Sequence, residues 1–244
     1  MDKKVLLRNS LAKIMIEEIA TLNDLVSRYS HPNITHKSDG SPVTELDLAL
    51  SAQIELLMEE HFPNTTFYSE EKFSSWSFPL LALDPLDGTR EYIEGRDDWA
   101  ISIGVFPTEK FQGDGWIYNP KTGECFSEVP KQDFIDKSTY CGEVSRSEWK
   151  SGLFNHQESE KFKLKAVGSI AYKLGRLSAG KSDFVVSLRP KNIWDIAGGT
   201  ILCQKAGFKF YSQGREVTSV QKLYQPPLIW CHEELFLELS EIYP

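Results

Sequence analysis

A continuous apolar run followed at once by two acids constrains the fold of this chain more than any other feature. Residues 79–83 read PLLAL, which is typical of a strand covered on both faces. Residues 84–89 read DPLDGT and place Asp84 and Asp87 directly after that strand. Because open α/β sheets bind ligands beyond the carboxyl ends of their strands, we expect a polar site at this edge of a sheet.

The DPLDGT segment has the chemistry of a cation and phosphate site. Pro85 fixes one φ angle, and Gly88 permits a tight bend or the close approach of a ligand. The two carboxylates and the Leu86 carbonyl then offer the oxygen ligands that Mg²⁺ prefers. Gly88 and Thr89 would begin a helix whose free amides suit a phosphate oxygen. The alternative is an acidic turn that only caps a helix.

Three other segments carry acids at positions where an acid usually has only a structural role or faces solvent. Glu70 and Glu71 follow a short β-prone segment, where neighbouring acids commonly face solvent. Asp195 lies at a predicted helix start, where Asp normally acts as a cap or balances the helix dipole. Thr44 and Asp47 have the spacing of a capping box. The joint occurrence is harder to explain structurally, since Glu70, Asp84, Asp87 and Asp195 could surround two or three metal ions that polarise a phosphoryl group.

Hydrophobic periodicity predicts alternating helices and strands over the rest of the chain. The predicted helices cover 3–28, 44–61, 169–179, 195–206 and 233–241. The predicted strands cover 66–68, 79–83, 99–106, 115–118, 125–127, 163–167, 183–188, 208–211 and 227–231. This alternation favours a layered α/β architecture.

Residues 130–160 are polar and have no clear pattern, so we place a subdomain boundary near residue 135. The N-terminal part, 1–135, then carries most of the candidate metal ligands. The C-terminal part, 136–244, supplies Asp195 and the expected substrate contacts.

Charge and composition exclude several classes of protein. The net charge of -8 provides no basic face for a nucleic acid polymer. No stretch approaches the roughly 20 apolar residues that cross a bilayer, and no signal peptide is visible. The 4 cysteines are dispersed, which suits a reducing cytoplasm and argues against a zinc site. We therefore expect a cytoplasmic protein without membrane or nucleic acid partners.

Four motifs together resemble the lithium-sensitive, magnesium-dependent phosphatases, which include inositol monophosphatases, bisphosphate nucleotidases and fructose-1,6-bisphosphatases. They are SPVTELD at 41–47, SEE at 69–71, DPLDGTREYI at 84–93 and NIWDIAGG at 192–199. The resemblance implies a five-layer αβαβα sandwich, two or three Mg²⁺ ions, and hydrolysis of a small phosphorylated metabolite by in-line attack of water.

The resemblance also implies roles for individual residues. Glu70, Asp84, the Leu86 carbonyl, Asp87 and Asp195 would bind the metal ions. The catalytic residues would be Asp47, Thr89 and Glu70, of which Asp47 and Thr89 activate the water. The substrate contacts would come from Asp87, Gly88, Thr89, Gly168, Ser169, Arg189 and Asp195. Glu71 would lie behind the metal ligands, and the loop with Lys37 and Asp39 corresponds to a mobile lid in relatives.

The residues before the NIWD motif favour 3'-phosphoadenosine 5'-phosphate as the substrate. Inositol monophosphatases usually carry a sugar-binding Glu where this chain has Leu188. Arg189 and Lys191 could meet a second phosphate, although ordinary surface charge is the alternative. The spacing from Gly168 to Gly180 is instead closer to the inositol phosphatases, so inositol-1-phosphate or another small phosphate monoester stays an alternative substrate. A non-catalytic regulatory relative should lack some of the metal carboxylates, and all are present here; the oligomeric state is open between monomer and homodimer.

Overall fold

Apolar residues at helical intervals fold the N-terminal segment into helices. The computed structural model describes residues 11–30, 33–37, 40–71, 75–155 and 159–244. Two helices, α1 (Leu11–Glu17) and α2 (Ile19–Arg28), take the place of the single helix predicted over 3–28, whose first eight residues lie outside the described ranges. The break between them is slight, because the Glu18 N–H still donates to the Ile14 carbonyl at 3.2 Å.

A small hairpin leads into the third helix. It consists of the antiparallel strands β1 (Ile34–His36) and β2 (Pro42–Thr44). Helix α3 (Glu45–His61) follows directly and begins where the capping-box spacing predicts.

The apolar runs of residues 66–126 form the first sheet. Its elements in chain order are β3 (Thr66–Ser69), β4 (Leu80–Asp87), the short helix α4 (Thr89–Ile93), β5 (Ala100–Phe106), β6 (Asp114–Asn119) and β7 (Glu124–Phe126). The strands lie in the order β3-β4-β5-β6-β7. The β3–β4 pair is parallel and the other pairs are antiparallel.

The second half of the chain forms a second sheet and the remaining helices. Its elements are β8 (Tyr140–Ser145), α5 (Arg146–Lys150), β9 (Phe162–Val167), α6 (Ile170–Ser178), β10 (Phe184–Ser187), β11 (Lys191–Asn192), α7 (Ile193–Ala206), β12 (Lys209–Ser212), β13 (Arg215–Glu216), β14 (Leu223–Tyr224), β15 (Leu228–Cys231) and α8 (Glu233–Ile242). Six strands lie in the order β13-β12-β15-β10-β8-β9, while β11 pairs with β14. Within the described ranges, no helix combines the length and the apolar character needed to cross a membrane.

Alternation of side chains along the strands places helices on both faces of each sheet. In β4, Leu81 and Leu83 join the core formed with α1, α2 and α3, whereas Leu80 and Ala82 join the core formed with α7. Strand β15 alternates in the same way between the central helices and α8. The layers are therefore helices, sheet, helices, sheet and helix, which confirms the predicted five-layer αβαβα sandwich.

Glycines let α7 lie directly against the first sheet. A Cβ on Gly198 would lie only 2.7 Å from the Ile103 carbonyl oxygen. A Cβ on Gly104 of β5 would lie 2.5 Å from the Ala197 Cβ. The small residues after Asp195 therefore allow the helix to approach the sheet closely, and they hold the start of α7 beside β4 and β5.

Strand β8 is absent from the sequence prediction, yet it lies inside the second sheet between β10 and β9. Two residues interrupt the apolar pattern by which this strand could be predicted from the sequence. Gly142 leaves room for the Phe184 ring, which a Cβ would meet at 2.1 Å. Glu143 is 2% exposed and is accommodated by an ion pair with Arg176 at 2.9 Å. The predicted patternless stretch over 130–160 is therefore wrong for 140–145.

Candidate active site

A bulge in β4 separates the two acids of the DPLDGT segment. Asp84 pairs with Ser102 of β5 and Asp87 pairs with Ala100, so β4 advances three residues where β5 advances only two. Bulges of this kind bend a strand and often occur beside active sites. Gly88 follows with a φ of 98°, and a Cβ there would lie 3.0 Å from the Trp99 Cβ. The turn from β4 into α4 therefore requires glycine.

Asp84 is the most deeply buried of the candidate carboxylate ligands, at 2% exposure. Its Oδ1 accepts a hydrogen bond from the Leu86 N–H at 3.0 Å. Burial raises the pKa of Asp84 well above its usual value, and the charges of Glu70, Asp87 and Asp195 raise it further. The charges of three other carboxylates thus act on Asp84, which is the situation that a bound cation relieves.

A hydrogen-bonded chain joins the start of α3 to the start of α4. The Thr44 N–H and hydroxyl donate to Asp47 Oδ2 at 2.8 and 2.6 Å, which completes the predicted capping box. Thr89 Oγ1 lies 3.1 Å from Asp47 Oδ1 and 3.1 Å from the Leu86 carbonyl oxygen. Asp47 is 1% exposed, and this burial raises its pKa. The cap therefore fixes the carboxylate that faces Thr89.

Glu70 and Glu71 extend from the end of β3 towards Lys37. The Glu70 N–H donates to the Leu83 carbonyl at 3.2 Å, which continues the β3–β4 pairing. Lys37 Nζ lies 2.7 Å from an oxygen of each glutamate. Burial raises the pKa of Glu70 even though Lys37 lowers it. Asp39, the other residue named for this loop, lies outside the described residues.

Asp195 is both a helix cap and a member of the carboxylate group. Its Oδ2 accepts a hydrogen bond from the Asn192 N–H at 2.9 Å, within a capping box. Burial raises the pKa of Asp195 to about 7; Lys191 lowers it, while Asp87 and Glu70 raise it. The structural interpretation of this residue is therefore correct, and it does not prevent the residue from facing the other acids.

Asp87 faces a polar cleft of about 160 Å³ between the two halves of the chain. Its Oδ2 accepts hydrogen bonds from Ser169 Oγ at 2.5 Å and from the Ala171 N–H at 2.6 Å. Gly88, Gly168, Ser169 and Asp195, four of the residues named as substrate contacts, line the same cleft.

Lys191 lines this cleft, whereas Arg189 does not. Arg189 is exposed, and its Nη2 lies 3.4 Å from Ser151 Oγ. The Lys191 ammonium lies 3.8 Å from the nearest oxygen of buried Glu148. Of the two cations named as contacts for a second phosphate, the structure brings only Lys191 into the cleft.

Arg146 also lines the cleft, and the sequence analysis does not identify it. Its Nη1 lies 3.2 Å from Glu91 Oε1 and 3.1 Å from Asp98 Oδ1. Asp98 also accepts a hydrogen bond from the Gly168 N–H at 2.5 Å. Arg146 is 55 residues from Glu91 and 48 from Asp98 in sequence, and Gly168 is 70 residues from Asp98. No local sequence pattern therefore reveals these contacts.

The donor set suits a hard divalent cation. Among the described residues, no three His, Cys, Asp or Glu side chains lie so that they could hold a metal ion as they stand. Each candidate carboxylate instead keeps a protein donor: Lys37 for Glu70, and backbone N–H groups for Asp84, Asp87 and Asp195. A bound cation would offset the acidic charges that act on Asp84. Because all the candidate ligand atoms are oxygens, they suit Mg²⁺ better than a softer metal.

Comparisons with known proteins agree with this geometry. The model of the inositol monophosphatase family matches residues 7–233. "Inositol monophosphatase 3" of Solanum lycopersicum is 28% identical over 215 residues, which cover 77% of this chain and 80% of that protein. "3'(2'),5'-bisphosphate nucleotidase CysQ" of Escherichia coli is 24% identical over 196 residues, or 72% of this chain and 78% of that protein.

The fold is likewise similar to a solved structure. The Thermotoga maritima IMPase superposes with a TM-score of 0.81 at 21% identity, over 95% of each chain. Because the family model spans nearly the whole chain, from α1 to α8, this protein belongs to the inositol monophosphatase family of phosphoric monoester hydrolases.

Proposed function

We propose that this protein is a Mg²⁺-dependent phosphomonoesterase that releases phosphate from 3'-phosphoadenosine 5'-phosphate. The observation that supports it most is the group of four acids, Glu70, Asp84, Asp87 and Asp195, whose charges act on one another beside a polar cleft. We expect it to act on this small metabolite in the cytoplasm, as a monomer or a homodimer.

Glu70, Asp84, the Leu86 carbonyl, Asp87 and Asp195 would hold two or three Mg²⁺ ions. When bound, these ions would polarise the phosphoryl group and neutralise the charge that develops on the leaving oxygen. The protein itself keeps the ligands in place through the bulge in β4 and the two capping boxes.

Thr89 and Asp47 would move the proton of the attacking water. Thr89 Oγ1 donates to Asp47 Oδ1, so its lone pairs can accept a proton from water while its own proton passes to Asp47. The raised pKa of buried Asp47 favours that transfer. The free amides of Gly88 and Thr89 at the start of α4 would hold the phosphate oxygens.

The residues around Lys191 favour a substrate with a second phosphate. Leu188 offers no hydrogen bond to a sugar hydroxyl from its side chain. Lys191 reaches the cleft, and its 3.8 Å separation from Glu148 is too long for a hydrogen bond, so its ammonium can still donate to a ligand.

Inositol-1-phosphate is the second candidate. It is favoured because the tomato inositol monophosphatase is more similar to this chain than the bacterial nucleotidase, at 28% against 24% identity. A non-catalytic regulatory relative is disfavoured because every candidate metal carboxylate is retained.

The test is phosphate release from the two candidate substrates side by side, with Mg²⁺ and with EDTA. We expect metal-dependent release that is faster from the nucleotide. Asp87→Asn should reduce turnover by at least about a hundredfold, because it removes a charge between the cation and the phosphate. Asp114→Asn, which changes only a surface ion pair with Lys205, is the matched control. Near wild-type turnover by Asp87→Asn would refute the assignment, and a preference for inositol phosphate would select the second candidate.

A further inference from the structure

Lys173 of α6 is a fully buried cation directly beneath the turn that faces Asp87. Its side chain has 0% exposure. Its Nζ lies 3.2, 3.1 and 2.9 Å from the carbonyl oxygens of Val167, Gly168 and Ser169, and 3.3 Å from Ser145 Oγ. One ammonium group therefore has four acceptors for its three protons, and three of these acceptors are consecutive backbone carbonyls.

The turn that these carbonyls belong to has an unusual backbone. Ser169 has a φ of 43°, in a region that non-glycine residues rarely adopt. Such a conformation is strained and persists only where the surroundings enforce it. With its carbonyls turned inward to Lys173, the turn presents its donors outward: Ser169 Oγ and the Ala171 N–H both bind Asp87 Oδ2.

We infer that Lys173 is a positioning residue that holds the Val167–Ser169 turn so that Ser169 and Ala171 fix the Asp87 carboxylate for catalysis. The inference rests on the proposed function, because Asp87 is assigned there to the metal ions and the phosphate. Lys173 touches neither, and it acts only through the backbone and Ser169.

Charge balance supports this arrangement. Burial lowers the pKa of Lys173 to about 8, while Asp87 is the largest of the charges that raise it. The side chain is therefore mostly protonated at pH 7, and its charge is matched by a carboxylate on the other side of the turn. A buried cation without such compensation would be strongly destabilising.

The experiment compares Lys173→Met with Arg176→Met in the full-length protein. Arg176 lies one turn later on α6 and pairs with buried Glu143, away from the cleft, so its loss tests for destabilisation alone. Hydrogen exchange of the backbone amides over 167–172 provides a readout without metal or substrate. We expect exchange there to accelerate at least about tenfold in Lys173→Met relative to Arg176→Met. Wild-type exchange in Lys173→Met would overturn the inference.

Kinetics provide the second readout. Lys173→Met should lower kcat at least about tenfold with KM changed less than about threefold, because a mispositioned catalytic group affects the transition state more than substrate binding. Arg176→Met should keep kcat within about twofold. The double variant with Lys173→Met and Ser169→Ala should have a kcat less than about threefold below that of the slower single variant, because both changes disrupt the same Val167–Ser169 turn. If the kcat losses of the two single variants multiplied in the double variant, the inference would be overturned.

Two further results keep this inference separate from the proposed function. If the wild-type protein releases no phosphate with Mg²⁺, the proposed function fails, and the exchange measurement still decides the role of Lys173 in the turn. If Lys173→Met does not fold, Lys173→Gln retains two donors without the charge. Exchange over 167–172 in this milder variant should still be faster than in Arg176→Met, and exchange at the wild-type rate would overturn the inference.

Discussion

At the scale of single residues, two cations that are neighbours in sequence have different surroundings. Lys191 lines the cleft beside Asp195, whereas Arg189 is exposed beside Ser151. We therefore predict that Lys191→Met lowers kcat/KM for 3'-phosphoadenosine 5'-phosphate by about 10- to 100-fold, the value of one charged hydrogen bond to phosphate. Release from inositol-1-phosphate should change less than about threefold. Arg189→Met is the matched control, and an equal loss on both substrates would contradict a role in binding the second phosphate.

The raised pKa of Asp195 predicts an unusual pH dependence of stability. The folded-state value of about 7 lies above the usual carboxyl value near 3.9, so the folded protein binds more protons between these limits. The free energy of unfolding of the metal-free protein should therefore fall as pH rises from 5 to 8. Asp84 and Glu70 are shifted in the same direction and add to the effect.

Thermal unfolding in EDTA at pH 5, 6, 7 and 8 measures this dependence. Asp195→Asn should flatten the profile, and Mg²⁺ should restore stability most at pH 8, where the carboxylates are charged. A melting temperature that rises across this range, with the same slope in the variant, would contradict the assignment of Asp195 to the repelling group.

Acids within motifs could be identified from the sequence because each stands beside a strand end or helix start that local patterns predict. Asp195 lies in the first turn of α7, close to the predicted helix start, and Asp87 ends β4. Asp84 lies inside β4, because this strand continues four residues beyond its predicted end. Arg146 and Lys173 could not be identified in this way. Their positions depend on contacts between separate elements, and a buried lysine on a helix has the same sequence pattern as an exposed one.

At the scale of elements, the contact of α7 with the first sheet controls where Asp195 lies. Gly198→Ala should destabilise the protein by about 1–3 kcal/mol, although alanine favours helices, because the added methyl group meets the Ile103 carbonyl at 2.7 Å and Ser102 Oγ at 3.1 Å. Turnover should fall as well, since a shift of α7 moves Asp195. Denaturant unfolding and phosphate release measure the two effects.

Lys205→Ala on the exposed side of the same helix is the control, and its ion pair with Asp114 should contribute less than about 1 kcal/mol. If Gly198→Ala were as stable as that control, close packing of α7 would not be the reason for glycine at this position.

Elements with a regular apolar period were predicted well, and those without one were not. Helices α3, α6 and α7 differ from their predicted bounds by two residues or fewer at each end. Strand β8 was missed because Gly142 and Glu143 depend on Phe184 and Arg176 in other elements. Tertiary contacts therefore decide the structure of residues 140–145, whereas local sequence decides that of the helices.

At the scale of the whole molecule, the boundary proposed near residue 135 marks the passage from the first sheet to the second. The Gln132 N–H donates to the Ala206 carbonyl at 2.7 Å, so this connection lies against the end of α7. Both halves contribute to one core: Leu80 and Phe106 of the first sheet share it with Phe210 and Trp230 of the second, around α7. The parts 1–135 and 136–244 are thus proposed as subdomains that cannot bury their apolar faces separately.

This shared core predicts that the fragment 1–135 does not fold alone. Without α7, the face of β4 and β5 that carries Leu80, Ala82 and Phe106 would be exposed to water, and Leu80 and Phe106 would each lose about 1.5–3 kcal/mol of burial. The full chain should unfold in one cooperative calorimetric transition, whose van't Hoff and calorimetric enthalpies agree. If the fragment 1–135 had a cooperative transition of its own, it would be an independent domain. The carboxylates from the two halves would then be brought together by docking of two domains rather than by a common core.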